Sequence, residues 1–513
     1  MIVAMLGRLT HRFAILRSAA VALLLLSHAG AHVARADEAA KPASAETSGP
    51  ADAITQRKLT VRGRELPFTV TAASLPLRDA KGETQGTMYY VSYTLDGAMA
   101  AERPLTLVVN GGPGAASAYL HIGALGPRVL DFGEDGAPAG TTPRLVDNPD
   151  TWLDFTDLVF VDPVGTGFSR AKSDDAAKQF WGVRQDIQTL AQFVRLYVTH
   201  ADRLASPKYL VGESYGGFRA AVLPHHLATE QGIALSGAIL ISPVVEFGLM
   251  SSGEANPLPD ALRLPAYAAV ALERDGGGID PAKLEEAERF ATGEYLQGLI
   301  EGDRNPDRAA RLYAEVARRI GLPEDVVAKR RGRIPIEVFQ KEFRRGEGRI
   351  VSRYDGTASG ADPYPESWRT RGGDPILDGT RAAFTTAMLE YYRDMLGVKT
   401  ELPYRLLNGE VGGKWDWRSG LGGSAQGYVG ASDDLREALA LDPKLKVMVA
   451  HGTTDLQTPY MMSRYVIDHL PPLGERKRVE LRLYPGGHMM YMRPGSRARL
   501  HADAAAFYGA PGN

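Results

Sequence analysis

Gly212-Glu213-Ser214-Tyr215-Gly216 follows directly on the apolar run Tyr209-Leu210-Val211. Glycine on either side of Ser214 permits a sharp strand-to-helix turn that a bulkier residue would block. At the tip of such a turn a serine hydroxyl stands clear of the sheet, open to a base and to an incoming carbonyl. The chemistry implied is nucleophilic attack by Ser214. A hydroxyl is a poor nucleophile until a base takes its proton, and the base needs an acid to orient it and balance its charge. With the serine on a turn of this kind, the partners follow in the order Ser, Asp, His. Two late segments fit. Val447–Ala450 runs into His451-Gly-Thr-Thr-Asp455, and Val479–Leu483 runs into Tyr484-Pro-Gly-Gly-His488-Met489. Asp455 and His488 are the expected partners. His451 is a rival base, but its place at the strand end just before Asp455 leaves that aspartate without a role.

A second glycine cluster, Asn110-Gly111-Gly112-Pro113-Gly114, follows the run Leu105–Val109. Acyl transfer through a tetrahedral intermediate needs N–H donors aimed at the developing oxyanion. One is expected from Tyr215, the residue after the nucleophile, and the other from this loop, with Gly112 first and Gly111 as the alternative. A phosphate-binding reading fails because Pro113 has no N–H and no Lys-Ser/Thr pair follows.

These residues need a frame. Residues 57–95 alternate apolar and polar with glycine turns, the pattern of an antiparallel meander. After them come short unbroken apolar runs at Leu105–Val109, Leu158–Val161, Lys208–Val211, Ala238–Ser242, Val447–Ala450 and Val479–Leu483. Such runs suit strands buried on both faces of a mainly parallel sheet. Between them lie helical patterns, such as the stripe Val183, Ile187, Leu190, Val194 and Tyr197. The fold class is therefore α/β, a sheet wrapped by helices. Between Phe247 and Leu402 no convincing buried strand occurs, only helical segments at Ala282–Phe290, Arg308–Ile320, Ile336–Phe343 and Thr380–Leu396. That divides the chain into a catalytic domain of residues 56–246 and 403–513 and an inserted helical cap of residues 247–402.

The 513 residues are 44% hydrophobic and 23% charged, with a net charge of -2. Those values suit a sizeable core and give no reason to expect nucleic acid or an anionic membrane as partner. The absence of cysteine excludes a thiol nucleophile, a thiolate metal site and disulfides. Arg8, Arg12 and Arg17 precede the apolar stretch 19–26, and Ala34-Arg35-Ala36 offers small residues for cleavage. That layout predicts a secretory signal over residues 1–36, then a disordered leader over 37–55. The expected address is periplasmic or secreted, without stable membrane association.

The order Asn-Gly-Gly-Pro-Gly, Gly-Glu-Ser-Tyr-Gly, a late Asp before Pro459, then Gly-His-Met resembles the serine carboxypeptidase family of α/β hydrolases. Leu125-Gly126-Pro127, Asn148-Pro149 with Trp152, and Asp162-Pro163-Val164-Gly165-Thr166-Gly167-Phe168-Ser169 add to the likeness. The resemblance covers about residues 88–243 and 446–494. It implies an α/β-hydrolase fold, peptide substrates cleaved at their last bond, and no metal or organic cofactor. It also implies that Asn110 and Glu213 grip the C-terminal carboxylate, while Met489 lines the pocket of the departing residue. Glutamate can donate to a carboxylate only when protonated, so activity favoured at acidic pH is expected. Two positions depart from the family pattern: Ala124 stands where a second carboxylate-binding glutamate is common, and Val108 where a tryptophan is common. Ala124 keeps open an esterase, acyltransferase or proline-type aminopeptidase with the same triad, and a binding module with a dead site is a third reading.

Overall fold

Short, β-branched runs pair along their length where both faces can be covered, and here they do so. The computed structural model describes residues 49–138, 142–253, 255–274, 278–420, 429–474 and 478–510. The stretch read as a signal peptide and the first part of the leader lie outside these residues. Among the described residues nine strands form the path of the main sheet: β1 (Ala53–Val61), β2 (Arg64–Arg78), β3 (Thr84–Leu95), β4 (Leu105–Val109), β5 (Asp157–Val161), β6 (Lys208–Glu213), β7 (Gly237–Ile241), β8 (Lys446–Gly452) and β9 (Val479–Tyr484). Their spatial order is β1-β2-β3-β5-β4-β6-β7-β8-β9, and Arg170–Ala171 pairs beside β3. Pairing is antiparallel from β1 to β5. From β5 through β4 to β9 it is parallel throughout. The sheet is thus mixed but mainly parallel, flanked by helices, and the fold is that of an α/β hydrolase. β1 begins at Ala53, inside the last residues of the stretch read as leader.

Alternate residues of one strand feed opposite cores, as a period of two requires. Ile239 and Ile241 of β7 join one apolar cluster with Val211, Met448 and Ala450. Ala238 and Leu240 join another with Leu210, Val447 and Val449. Helix α1 (Val183–His200) buries Val183, Ile187, Leu190, Val194 and Tyr197, the stripe its sequence shows.

The chain between β7 and β8 is mostly helical and builds a core of its own around Val270, Phe290, Leu312, Val316 and Phe339. Helices at Pro281–Phe290, Pro306–Ile320, Ile336–Glu342 and Leu377–Glu390 match the expected segments within a turn, the last running on into a π-type turn at Tyr391–Met395. Several features were not expected, among them a helix and a ribbon. Leu258–Glu273 is a helix although it contains Pro265. Arg349–Val351 pairs with Ser359–Ala361 as a small antiparallel ribbon, too short to leave a periodic trace.

Candidate active site

Because β4, β6, β8 and β9 run parallel, their C-terminal ends lie along one edge of the sheet. Asn110, Ser214, Asp455 and His488 all follow those ends. Ser214 links β6 to helix α2 (Tyr215–Glu230) with φ 60° and ψ -120°, a strained conformation for a residue with a β-carbon. The flanking glycines make the turn possible. A β-carbon on Gly212 would lie 1.9 Å from the Gly216 carbonyl oxygen, and one on Gly216 would lie 2.3 Å from that of Val109. Ser214 is half-buried, and its amide donates to the Ile241 carbonyl at 2.9 Å.

Asp455 and His488 meet. His488 Nδ1 lies 2.9 Å from Asp455 Oδ2, and both residues are buried. Asp455 Oδ1 accepts from the amides of Gln457 at 2.8 Å and Thr458 at 3.0 Å, which fixes the carboxylate. Thr458 Oγ1 lies 2.7 Å from Asp455 Oδ2, 2.9 Å from the Ser242 carbonyl and 3.0 Å from His488 Nδ1. Burial alone would lower the His488 pKa, but the charge and hydrogen bond of Asp455, with Glu213 beyond, outweigh it and raise the pKa. Among the described residues no hydrogen bond joins the Ser214 hydroxyl to His488 in this structure. The two backbones are linked instead: Ser242, which follows Ile241, donates from its hydroxyl to the His488 carbonyl at 2.8 Å. His451 is held elsewhere. Its Nε2 pairs with Ser463 Oγ at 2.8 Å, and burial pushes its pKa down to about 4.

The glycine loop lies against the strand-to-helix turn of Ser214, the elbow of this site. A β-carbon on Gly111 would come within 2.5 Å of the Tyr215 amide nitrogen, so only glycine allows this approach. Gly112 stands at φ +102°. Among the described residues neither the Gly112 nor the Tyr215 amide has a hydrogen-bond partner. Unpartnered N–H groups on this loop and on the residue after Ser214 are the kind of donors a developing oxyanion requires.

Asn110 and Glu213 also meet. Asn110 Nδ2 donates to Glu213 Oε2, and Tyr491 donates its hydroxyl to Glu213 Oε1 at 2.6 Å. Burial pushes the Glu213 pKa up to about 7, with Asp455 adding to the rise; the His488 charge and the bonds from Tyr491 and Asn110 oppose it. Met489 is buried in the apolar cluster of one sheet face. Ala124 and Val108 are buried too.

Sequence reasoning missed several supporting residues. Arg219 on α2 is fully buried; it grips Asp186 at 2.7 and 3.0 Å and donates to the Asn110 carbonyl at 2.5 Å. Residues at the turn of the small ribbon touch the loops of both Asp455 and His488. The Tyr354 carbonyl accepts from the His488 amide at 2.5 Å, and the Tyr354 ring meets the imidazole edge-on with centroids 5.3 Å apart. Asp355 accepts from Thr454 Oγ1 at 2.8 Å and from Arg493 at 2.9 Å. None of these belongs to a motif. Among the described residues no group of three or more His, Cys, Asp or Glu is arranged to hold a metal ion.

Comparison with known proteins sets this geometry in context. The family model for serine carboxypeptidases matches residues 77–250. Serine carboxypeptidase-like 9 of Arabidopsis thaliana is 26% identical over 192 residues, which are 36% of this chain and 42% of that protein. A probable serine carboxypeptidase of Arthroderma benhamiae is 29% identical over 191 residues, 33% of this chain and 32% of that one. The chain spans less than half the length of these curated relatives. Among solved structures, a proline iminopeptidase of Mycobacterium smegmatis aligns over 85% of this chain and 97% of its own, at 16% identity and a TM-score of 0.36.

Proposed function

We propose that this chain, which belongs to the serine carboxypeptidase family, hydrolyses the C-terminal peptide bond of peptides through Ser214, His488 and Asp455. The observation that carries this reading is the buried pair of Asn110 and Glu213, joined by a hydrogen bond one residue before the elbow serine. A carboxyl group kept neutral by burial donates a hydrogen bond, and an amide N–H donates another, so together they suit an incoming carboxylate.

In this mechanism His488 takes the proton of Ser214 as the hydroxyl attacks the terminal peptide carbonyl. Asp455, fixed by two amides, holds the imidazole and balances its positive charge. The Gly112 and Tyr215 amides stabilise the oxyanion, with Gly111 providing the close approach. His488 then protonates the departing amino acid, and water on the acyl-enzyme releases the shortened peptide. Residues 247–402 act as a cap over the site, a role supported by the contacts of Tyr354 and Asp355 with the loops of His488 and Asp455. Among the described residues no helix is long and apolar enough to cross a membrane. Export to the periplasm or medium is part of the reading, supported by the arginine-led apolar stretch in residues 8–26.

The test uses blocked dipeptides with a free or an amidated C-terminus. Preferential cleavage of the free acid, abolished by Ser214→Ala, is the expected outcome. Equal cleavage of both forms would favour an esterase or another acyl hydrolase built on the same triad.

A further inference from the structure

Ala124 leaves the site one carboxyl group poorer than the family pattern, and a tyrosine stands a turn before it. Tyr119 lies in the helix Ala118–Leu120, which continues as a π-type turn through His121–Leu125. Its neighbour Leu120 donates its amide to Asn110 Oδ1 at 3.0 Å, so this stretch is tied to the amide that holds Glu213. The far side of the stretch touches the other partner of Glu213. A β-carbon on Gly123 would lie 3.1 Å from the Tyr491 ring and 3.3 Å from Phe384, the ring that packs on Tyr119 with centroids 4.7 Å apart.

Tyr119 is 3% exposed, yet its hydroxyl has no hydrogen-bond partner among the described residues. A buried O–H without a partner is costly, so it calls for an explanation. Three other buried tyrosine hydroxyls share the condition, those of Tyr89, Tyr215 and Tyr404. Burial raises the Tyr119 pKa, and the charge of Glu213 adds to the rise. The unpartnered hydroxyl thus belongs to a residue held beside the Asn110–Glu213 pair through Leu120 and Phe384.

We propose that Tyr119 is a substrate-binding residue whose O–H donates to the C-terminal carboxylate of the peptide, beside Asn110 and Glu213. The inference rests on the carboxypeptidase reading. A phenol is a neutral donor, needs no protonation to serve a carboxylate, and finds in the bound substrate the acceptor it lacks in the free protein.

The test measures binding without turnover. In the Ser214→Ala protein, dissociation constants are taken for a benzyloxycarbonyl dipeptide with a free C-terminus and for its amide. Tyr119→Phe is then added, a change that removes one buried atom, and melting is followed to verify the fold. The expected result is binding of the acid weakened roughly ten-fold, with the amide unchanged. Equal effects on acid and amide, or none on either, overturn the role of Tyr119, while preference of the Ser214→Ala protein for the acid leaves the carboxypeptidase reading standing. No preference for the acid in the Ser214→Ala protein overturns both.

Discussion

Asp355 accepts a hydrogen bond from Thr454 at 2.8 Å, across 99 residues of sequence. Thr454 precedes Asp455, and the second oxygen of Asp355 takes Arg493 at 2.9 Å, just beyond His488. The same turn accepts the His488 amide at the Tyr354 carbonyl and donates the Gly356 amide to the Thr454 carbonyl at 3.0 Å. One loop from the helical stretch therefore bonds to the loops of both Asp455 and His488. Replacing Asp355 by Ala is expected to lower kcat about 10- to 100-fold with KM little changed, because small misplacements of catalytic groups are costly. Steady-state kinetics beside a melting curve separate this from general unfolding, which would lower the amount of active protein and leave kcat per active site intact.

Glu213 is expected to link activity to pH. Its pKa is raised to about 7 by burial, so it is neutral in acid and ionises near neutrality. Cleavage of free-acid peptides is expected to fall as pH rises through about 7, and Glu213→Gln, a donor at every pH, is expected to flatten that limb. Activity of the variant that falls as wild type does would remove Glu213 from the carboxylate site.

The same group sets a stability trend. A carboxyl with a raised pKa adds stability that is fully present below its ordinary range and is lost as pH rises through the folded value. Between pH 4.5 and 7 the loss is of the order of 3 kcal/mol, from 1.36 kcal/mol per pKa unit. Urea unfolding at several pH values should show this decline in wild type and a smaller one in Glu213→Gln.

Arg219 and Asp186 form a buried pair with side chains 1% and 5% exposed. Arg219→Met leaves the aspartate unpaired and frees the Asn110 carbonyl, an expected loss of about 3–5 kcal/mol. Adding Asp186→Leu removes the stranded charge and is expected to recover much of that loss in urea unfolding. No recovery would mean that the guanidinium acts mainly through Asn110.

How much of this could be read from the residues follows from where each signal lies. The elbow serine, the glycine loop, Asp455 and His488 sit beside strand ends punctuated by glycine or proline, so local pattern and order exposed them. The structure brings Asp455 to His488 and Asn110 to Glu213. Thr458, Tyr491, Arg219 and Asp355 left no local trace, because each acts through a partner far away in sequence. Asp355 in particular sits at the turn of a ribbon whose strands have three residues each. The helix Leu258–Glu273 was hidden by Pro265, which reads as a breaker, although the buried setting of the helix overrides that preference.

The central claim is that His488 makes Ser214 reactive toward an acyl carbon. The direct measurement is covalent labelling by a fluorophosphonate, located by peptide mass spectrometry, in wild type and in His488→Ala. An adduct on Ser214 in wild type, formed at least about 100-fold more slowly in the variant, is the predicted result. A wild-type protein that stays unlabelled at Ser214, or labelling at the same rate without the imidazole, would contradict it.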